Sequence, residues 1–332
     1  MNSPQGPELL QPVDISAYAR GNLGISHAHR FDSGQAGHDV VVLALVHGNE
    51  LCGAHALKRL LDLDIRPERG ALTLCFANVG AYATYDDAMP TRARFIDEDM
   101  NRVWDLAKLN GNRTSAELER ARQIRPLVTG ATRLLDIHSM QSGGEPLMLS
   151  GMTARGQALA RQTGFPRLVI ADSGHASGRR LRDHGAFADP EADATALLAE
   201  CGQHQSREAA VNALEITARF LLAVGCVGRD TAERIAPFRS HGPATVIEVT
   251  ERLTVTESGR NGFRFVEEYE SLATIPRAGT VIAEEAGKPV RTPYDNCVLI
   301  MPSRRLVAGQ TAVRLGRVIR QDAPLSAGQG RP

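Results

Sequence analysis

Short, β-branched apolar runs alternate along this chain with stretches whose apolar residues recur every three or four positions. Val41-Val42-Leu43-Ala44-Leu45-Val46 stops abruptly at a polar tetrad, His47-Gly48-Asn49-Glu50. A run that short and that β-branched predicts a buried strand. Ala54, Ala56, Leu57, Leu60 and Leu61 then fall at helical spacing. The alternation continues, with strands expected over 25–31, 71–77, 133–139, 147–149, 168–171 and 195–202. Helices are expected over 115–128, with Ser115 as N-cap, over 153–163, and along Ala210, Ala213, Leu214, Thr217, Phe220, Leu221 and Val224. Alternating strands and helices predict an α/β fold, a mostly parallel or mixed sheet with helices on both faces. Two stretches, 79–105 and 172–194, follow neither period, and loops that long in a compact domain are usually functional or disordered.

After about residue 228 the helical periodicity disappears. Short β-type runs recur over 244–249, 253–256, 280–283, 297–300 and 311–318, broken by Gly279, Gly287, Pro293, Pro302 and Gly309. The expected organisation is an α/β domain over 1–228 and a smaller C-terminal β domain over 229–332. A loose lead-in is expected over 1–24, a turn over 142–146, and a disordered tail past about residue 320.

Composition narrows the function classes. The 332 residues carry 38 basic and 38 acidic side chains, so the chain lacks the basic footprint of a nucleic-acid binder. No apolar segment approaches the roughly 18 residues of a membrane span. Met1-Asn2-Ser3-Pro4-Gln5-Gly6 lacks the charged-then-apolar pattern of a secretory signal. Cys52, Cys75, Cys201, Cys226 and Cys297 are scattered and form no Cys-x-x-Cys. They are expected as free, buried thiols in a reducing, cytoplasmic setting. The sequence leaves room for a homo-oligomer.

His47 and Glu50 fall at the end of a strand, where open α/β sheets place their ligands. An imidazole nitrogen and a carboxylate oxygen are two of the three protein ligands of a catalytic zinc. Arg133-Leu134-Leu135-Asp136-Ile137-His138-Ser139 delivers a second His from a second apolar run. With His138 as third ligand, one position stays open for water. Taken singly, each motif reads equally as a capped helix turn or a core histidine. Asp136, two residues before His138, is expected on the opposite strand face from it.

Three segments in order carry a resemblance: His47-Gly48-Asn49-Glu50, then Arg94-Phe95-Ile96-Asp97-Glu98-Asp99-Met100-Asn101-Arg102, then Asp136-Ile137-His138. Together they resemble the succinylglutamate desuccinylase/aspartoacylase family of the zinc carboxypeptidase-like superfamily, over roughly residues 25 to 225. The resemblance implies one zinc per chain on His47, Glu50 and His138. It implies Arg94 polarising a scissile carbonyl, and Asn101 and Arg102 binding a substrate carboxylate, with Asp97 and Asp99 holding those arginines. It implies a further substrate-binding arginine in the 172–194 loop, for which Arg182 is favoured over Arg179 and Arg180. It implies Glu200 as general base at the end of a strand before a helix, here in Glu-Cys-Gly where the family commonly has Glu-Val-Gly. Glu248 is the competing carboxylate, and no helix follows it. His204 is expected either to reach the site or to cap the next helix, with the cap favoured. The implied activity is zinc-dependent hydrolysis of the amide bond of a small N-acyl amino acid or related carboxylate-bearing amide. A metallocarboxypeptidase acting on peptides and a non-catalytic metal- or ligand-binding protein on a hydrolase fold are the alternatives.

Overall fold

The structure, a computed structural model, describes residues 9–141, 143–174, 177–256, 262–304 and 306–321. Residues 1–8 of the expected lead-in, Ser142 of the expected turn and the expected tail from residue 322 on lie outside the described residues.

In chain order the elements are β1 Ala28–Asp32, β2 Asp39–Ala44, α1 Leu51–Asp62, β3 Ala71–Phe76, α2 Val79–Tyr82, α3 Leu106–Asn110, α4 Ala116–Gly130, β4 Arg133–Met140, β5 Leu147–Leu149, α5 Ala154–Thr163, β6 Leu168–Ala171, β7 Thr195–Gln203, α6 Arg207–Ala223, α7 Arg229–Ile235, β8 Thr245–Thr254, β9 Arg264–Phe265, β10 Ala273–Ile275, β11 Val281–Glu285, β12 Lys288–Arg291, β13 Cys297–Ile300 and β14 Thr311–Gln321. The larger sheet runs β1-β3-β2-β4-β7-β5-β6-β8-β14-β13-β10. Its pairings from β3 through β2 and β4 to β7 are parallel, as are β5 with β6 and β6 with β8, and the rest are antiparallel. A smaller antiparallel sheet holds β12, β11 and β9. No helix among the described residues is long and apolar enough to cross a membrane.

The near-continuous apolar strands reflect burial on both faces. In β2, Val40, Val42 and Ala44 join the core that contains α1 and α6. Val41 and Leu43 point the other way, into a core built on Leu118, Ala121, Ile124 and Val128 of α4 and on Trp104. Ser115 caps α4 by accepting from Leu118 N at 3.1 Å.

The differences from expectation sit where elements are too short to show a period. The 79–105 stretch contains α2 and 3₁₀ turns at Pro90–Arg94 and Met100–Arg102. Helix continues past residue 228 as α7, whose Ala232 and Ile235 join the α1/α6 core. The runs expected at 244–249 and 253–256 are one strand, β8. β8 pairs in parallel with β6, from Leu168↔Thr245 to Ala171↔Glu248, so the C-terminal strands extend the first sheet.

Candidate metal centre

β2, β4 and β7 are neighbouring parallel strands, so their C-terminal ends lie at one edge of the sheet, where His47, His138 and Glu200 emerge. Beyond β2, Leu45 takes a left-handed φ of 61°, a conformation costing a non-glycine residue about 1–2 kcal/mol. This bend precedes His47 and the start of α1. Glu50 holds the cap position of α1 yet makes no capping bond. Its carboxylate turns to the histidines instead. Gly48 lies between them and donates its N–H to Arg94 O at 3.2 Å. A Cβ here would lie 2.4 Å from Tyr82 N and 2.5 Å from Ala93 O. Backbone atoms yield little, so Gly48→Ala is expected to lower stability by about 1–3 kcal/mol. Thermal unfolding checks this, and an unchanged midpoint would refute the tight packing.

Glu50 sits between two imidazoles. Its Oε1 is 2.8 Å from His47 Nδ1 and its Oε2 is 2.8 Å from His138 Nδ1. Burial disfavours the Glu50 charge, but His47 and His138 outweigh it and hold this carboxyl well below the usual range. The three ligand atoms lie within 4.8 Å of one another, and all three residues are buried. Each ring's second nitrogen meets another carboxylate. Asp99 Oδ1 is 2.9 Å from His47 Nε2, and Asp136 Oδ2 is 2.9 Å from His138 Nε2. The Asp99 contact is a hydrogen bond. The Asp136 contact acts chiefly through its charge. Burial lowers the pKa of His138, but Asp136 and Glu50 outweigh it and raise it well above the ordinary value. A carboxylate beside each Nε2 holds a proton there, so a cation could replace the Nδ1 protons and take both Nδ1 atoms and Glu50 as donors. This donor set fits a metal ion, and two imidazoles with one carboxylate suit zinc.

The Asp136 geometry corrects the sequence expectation. Strand side chains repeat every two residues, so Asp136 and His138 share a face. The same rule brings in Glu200, which is the register partner of His138 across β4 and β7. Burial, aided by the Glu50 charge, pushes the Glu200 carboxyl up to about 8, with His138 and Arg94 opposing. Its Oε2 is buried with no hydrogen-bond partner among the described residues, although the residue as a whole is only half-buried. α6 follows β7 with Ser206 as its N-cap. His204, expected as that cap, instead places Nδ1 2.8 Å from Ser139 Oγ. Glu248 lies in β8, paired with Ala171 and Arg317.

Arg94 joins the cluster through Asp99, with NH2 2.9 Å from Asp99 Oδ2 and NH1 3.5 Å from Glu50 Oε1. NH2 also lies 2.9 Å from His47 Nε2. If Nε2 carries the proton these are two donors, so Asp99 is the acceptor they share. Asp97, expected to hold an arginine, instead accepts from Ala116 N at 2.7 Å at the start of α4.

Asn101 is buried, and its Oδ1 accepts from Leu181 N at 2.9 Å. It therefore ties the 172–194 loop to the Asp99-Met100-Asn101-Arg102 turn. Burial lowers the Arg102 pKa to about 10, with Asp99 opposing and Arg94, Arg180 and Arg314 adding to the effect. Arg180 pairs with Asp172 at 3.0 Å and Asp183 at 2.6 Å, and Arg314 Nε lies 3.4 Å from the same Asp172 oxygen. Arg102, Arg180 and Arg314 thus form a cationic group next to Asp99.

Arg182 is placed elsewhere. Its guanidinium pairs with Asp183 and donates to Ser150 O at 3.1 Å and Ala196 O at 3.0 Å. Ala196 precedes Glu200 by four residues, roughly 13 Å of strand. Of the arginines in this loop, Arg180 is the one whose charge acts on Arg102. Arg314 left no trace in the sequence, because it occupies an ordinary alternating position between buried Val313 and Leu315.

The sequence model of the succinylglutamate desuccinylase/aspartoacylase catalytic domain matches residues 36–224. No relative among curated proteins matches. Among solved structures, the chain is similar to succinylglutamate desuccinylase from Vibrio cholerae, with a TM-score of 0.62 and 18% identity over 86% of this chain and 82% of that one. The corresponding enzyme from Chromobacterium violaceum gives 0.60 and 18%, covering 89% of each chain. The product-bound ectoine utilization protein of Ruegeria pomeroyi gives 0.55 and 16%, over 85% and 86%. At these identities the solved structures speak for the fold, while the domain match spans more than half of the chain: the protein belongs to the succinylglutamate desuccinylase/aspartoacylase family.

Proposed function

We propose that this protein is a zinc-dependent hydrolase that cleaves the amide bond of a small N-acyl amino acid or related carboxylate-bearing amide. The observation that carries this reading is the convergence of His47 Nδ1 and His138 Nδ1 on the two oxygens of Glu50, with a buried Glu200 oxygen on the neighbouring strand that has no hydrogen-bond partner among the described residues. His47, Glu50 and His138 would hold the ion. Zinc there supplies Lewis acidity, polarising a carbonyl and lowering the pKa of a water from about 15.7 towards 7.

Glu200 takes the proton of the attacking water and returns it to the leaving nitrogen. A carboxyl with raised proton affinity suits both halves of that task. Arg94, anchored by Asp99, presents its remaining guanidinium donors to the oxygen on which negative charge develops. Asn101 has its oxygen engaged with Leu181, which leaves its amide nitrogen to donate. Arg102 forks onto the substrate carboxylate, a geometry suited to a planar guanidinium. Arg180 and Arg314 add positive charge on the same side.

The test is zinc content on the purified protein, followed by a panel of N-acyl amino acids. Turnover of any panel member by the zinc-loaded protein supports the reading. Hydrolysis of peptides alone would move it to a metallocarboxypeptidase, and zinc without turnover of either would move it to a binding protein. Arg102→Ala is expected to raise KM about 10- to 100-fold, the worth of one hydrogen bond to a charged group. A substrate amide lacking the carboxylate should show no such difference between the two proteins. An equal loss on both amides would remove Arg102 from carboxylate binding.

A further inference from the structure

We infer that Glu117, on α4, is the positioning residue that sets the Arg94–Asp99 loop against His47, and so tunes the metal centre without touching it. This rests on the zinc site proposed above.

Glu117 is fully buried, and nothing in the proposed chemistry uses it. Its carboxylate accepts from three consecutive backbone amides. Ile96 N reaches Oε1 at 2.7 Å, and Asp97 N and Glu98 N reach Oε2 at 3.0 and 3.1 Å. Asn78 Nδ2 donates to Oε1 at 3.0 Å. Such a run of N–H groups converging on one anion forms a concave, charge-assisted nest. The nest spans the residues between Arg94 and Asp99, the two side chains that meet at His47 Nε2.

The rest of the loop is pinned from both sides. Gly48 N donates to Arg94 O at 3.2 Å. Asp97 accepts from Ala116 N at 2.7 Å, and Glu98 accepts from Ser115 Oγ at 2.6 Å and Arg113 NH2 at 2.6 Å. The Asp97 and Arg113 contacts are exposed, whereas the Glu117 side chain is buried and links three amides at once. It therefore fixes how far Asp99 reaches towards His47. Partners that orient a ligating histidine typically change metal affinity or activity about 10- to 100-fold when altered.

Glu117→Gln is the sharp variant. Whichever way its amide turns, the NH2 group faces two N–H donors. The readout is the zinc dissociation constant, by competition with a chelator, on wild type, E117Q, D99N and the double variant, well below their unfolding temperatures. E117Q is expected to weaken zinc binding about 10- to 100-fold. If Glu117 acts through Asp99, it adds no loss in the D99N background. A Glu117 with a merely structural role would lower the unfolding temperature and leave zinc affinity unchanged. Folded E117Q with wild-type zinc affinity overturns the inference, as do losses that multiply in the double variant. Should E117Q fail to fold, Glu117→Asp keeps the charge on a shorter stem. A smaller loss, again absent with D99N, then supports the inference, and wild-type affinity overturns it. A wild type that takes up no zinc overturns the proposed function and this inference together, whereas a zinc-binding wild type with an indifferent E117Q overturns only the inference.

Discussion

Glu200→Gln is expected to lower kcat about 10²- to 10⁴-fold, the usual worth of a positioned general base, while zinc content stays at the wild-type level. The amide is nearly isosteric with the acid and Glu200 is not among the three ligand residues, so metal and fold should persist. The pH profile gives the sign. Burial and the nearby Glu50 charge raise the Glu200 pKa towards 8. A base works only when ionised, so kcat/KM should climb as pH rises through that pKa and fall about tenfold per unit below it. A cation at the neighbouring ligands pulls the limb downward, to a position between the ordinary carboxylate value near 4.3 and 8. In E200Q this limb should vanish. A variant that keeps its rate, or keeps the limb, would move the general base elsewhere, with Glu248 the first alternative to test.

His138→Ala is expected to abolish zinc binding, and with it all turnover. The substitution removes one of two Nδ1 donors and leaves Glu50 with a single imidazole. It also strands Asp136, which is fully buried and whose charged neighbour in the structure is His138. Removing one partner from a buried charge pair costs about 3–5 kcal/mol, so the variant should also unfold at lower temperature. Comparison with metal-stripped wild type separates the two effects. Stripped wild type should regain activity when zinc is returned, and His138→Ala should not. Stoichiometric zinc on folded His138→Ala would dismiss the three-residue site.

Both predictions concern one site, since Glu200 is the register partner of His138. His47 and Glu50 stood out because an apolar run gives way to a polar tetrad, His138 because a second run ends on it, and their joint role came from the family resemblance. Glu200 was singled out by the family resemblance, at the end of an apolar run before a helix, and its role as base is the proposal above. Asp136 was misjudged, although the two-residue period of a strand already places it beside His138. By periodicity the 79–105 and 172–194 stretches were only long segments without a period, and the residues named in them came from the family resemblance. Asp97 turned out to serve α4 rather than an arginine, and Arg182 turned out to brace Ser150 and Ala196.

What the sequence determined by itself is the alternation of strand and helix, the doubly buried sheet, and the residues at the ends of β2, β4 and β7. Those follow from local periodicity, which is written into consecutive residues. Only the tertiary structure decided that Arg180 and Arg314, 134 positions apart, share Asp172. Only it decided that Glu117 gathers three amides of a loop some twenty residues earlier, and that β8 joins β6 to carry one sheet into the C-terminal strands. Hydrogen bonds and ion pairs between distant segments depend on where loops fold back. Side-chain type does not encode that, because an arginine in a charged loop has the same composition whether it braces a carbonyl or meets a substrate.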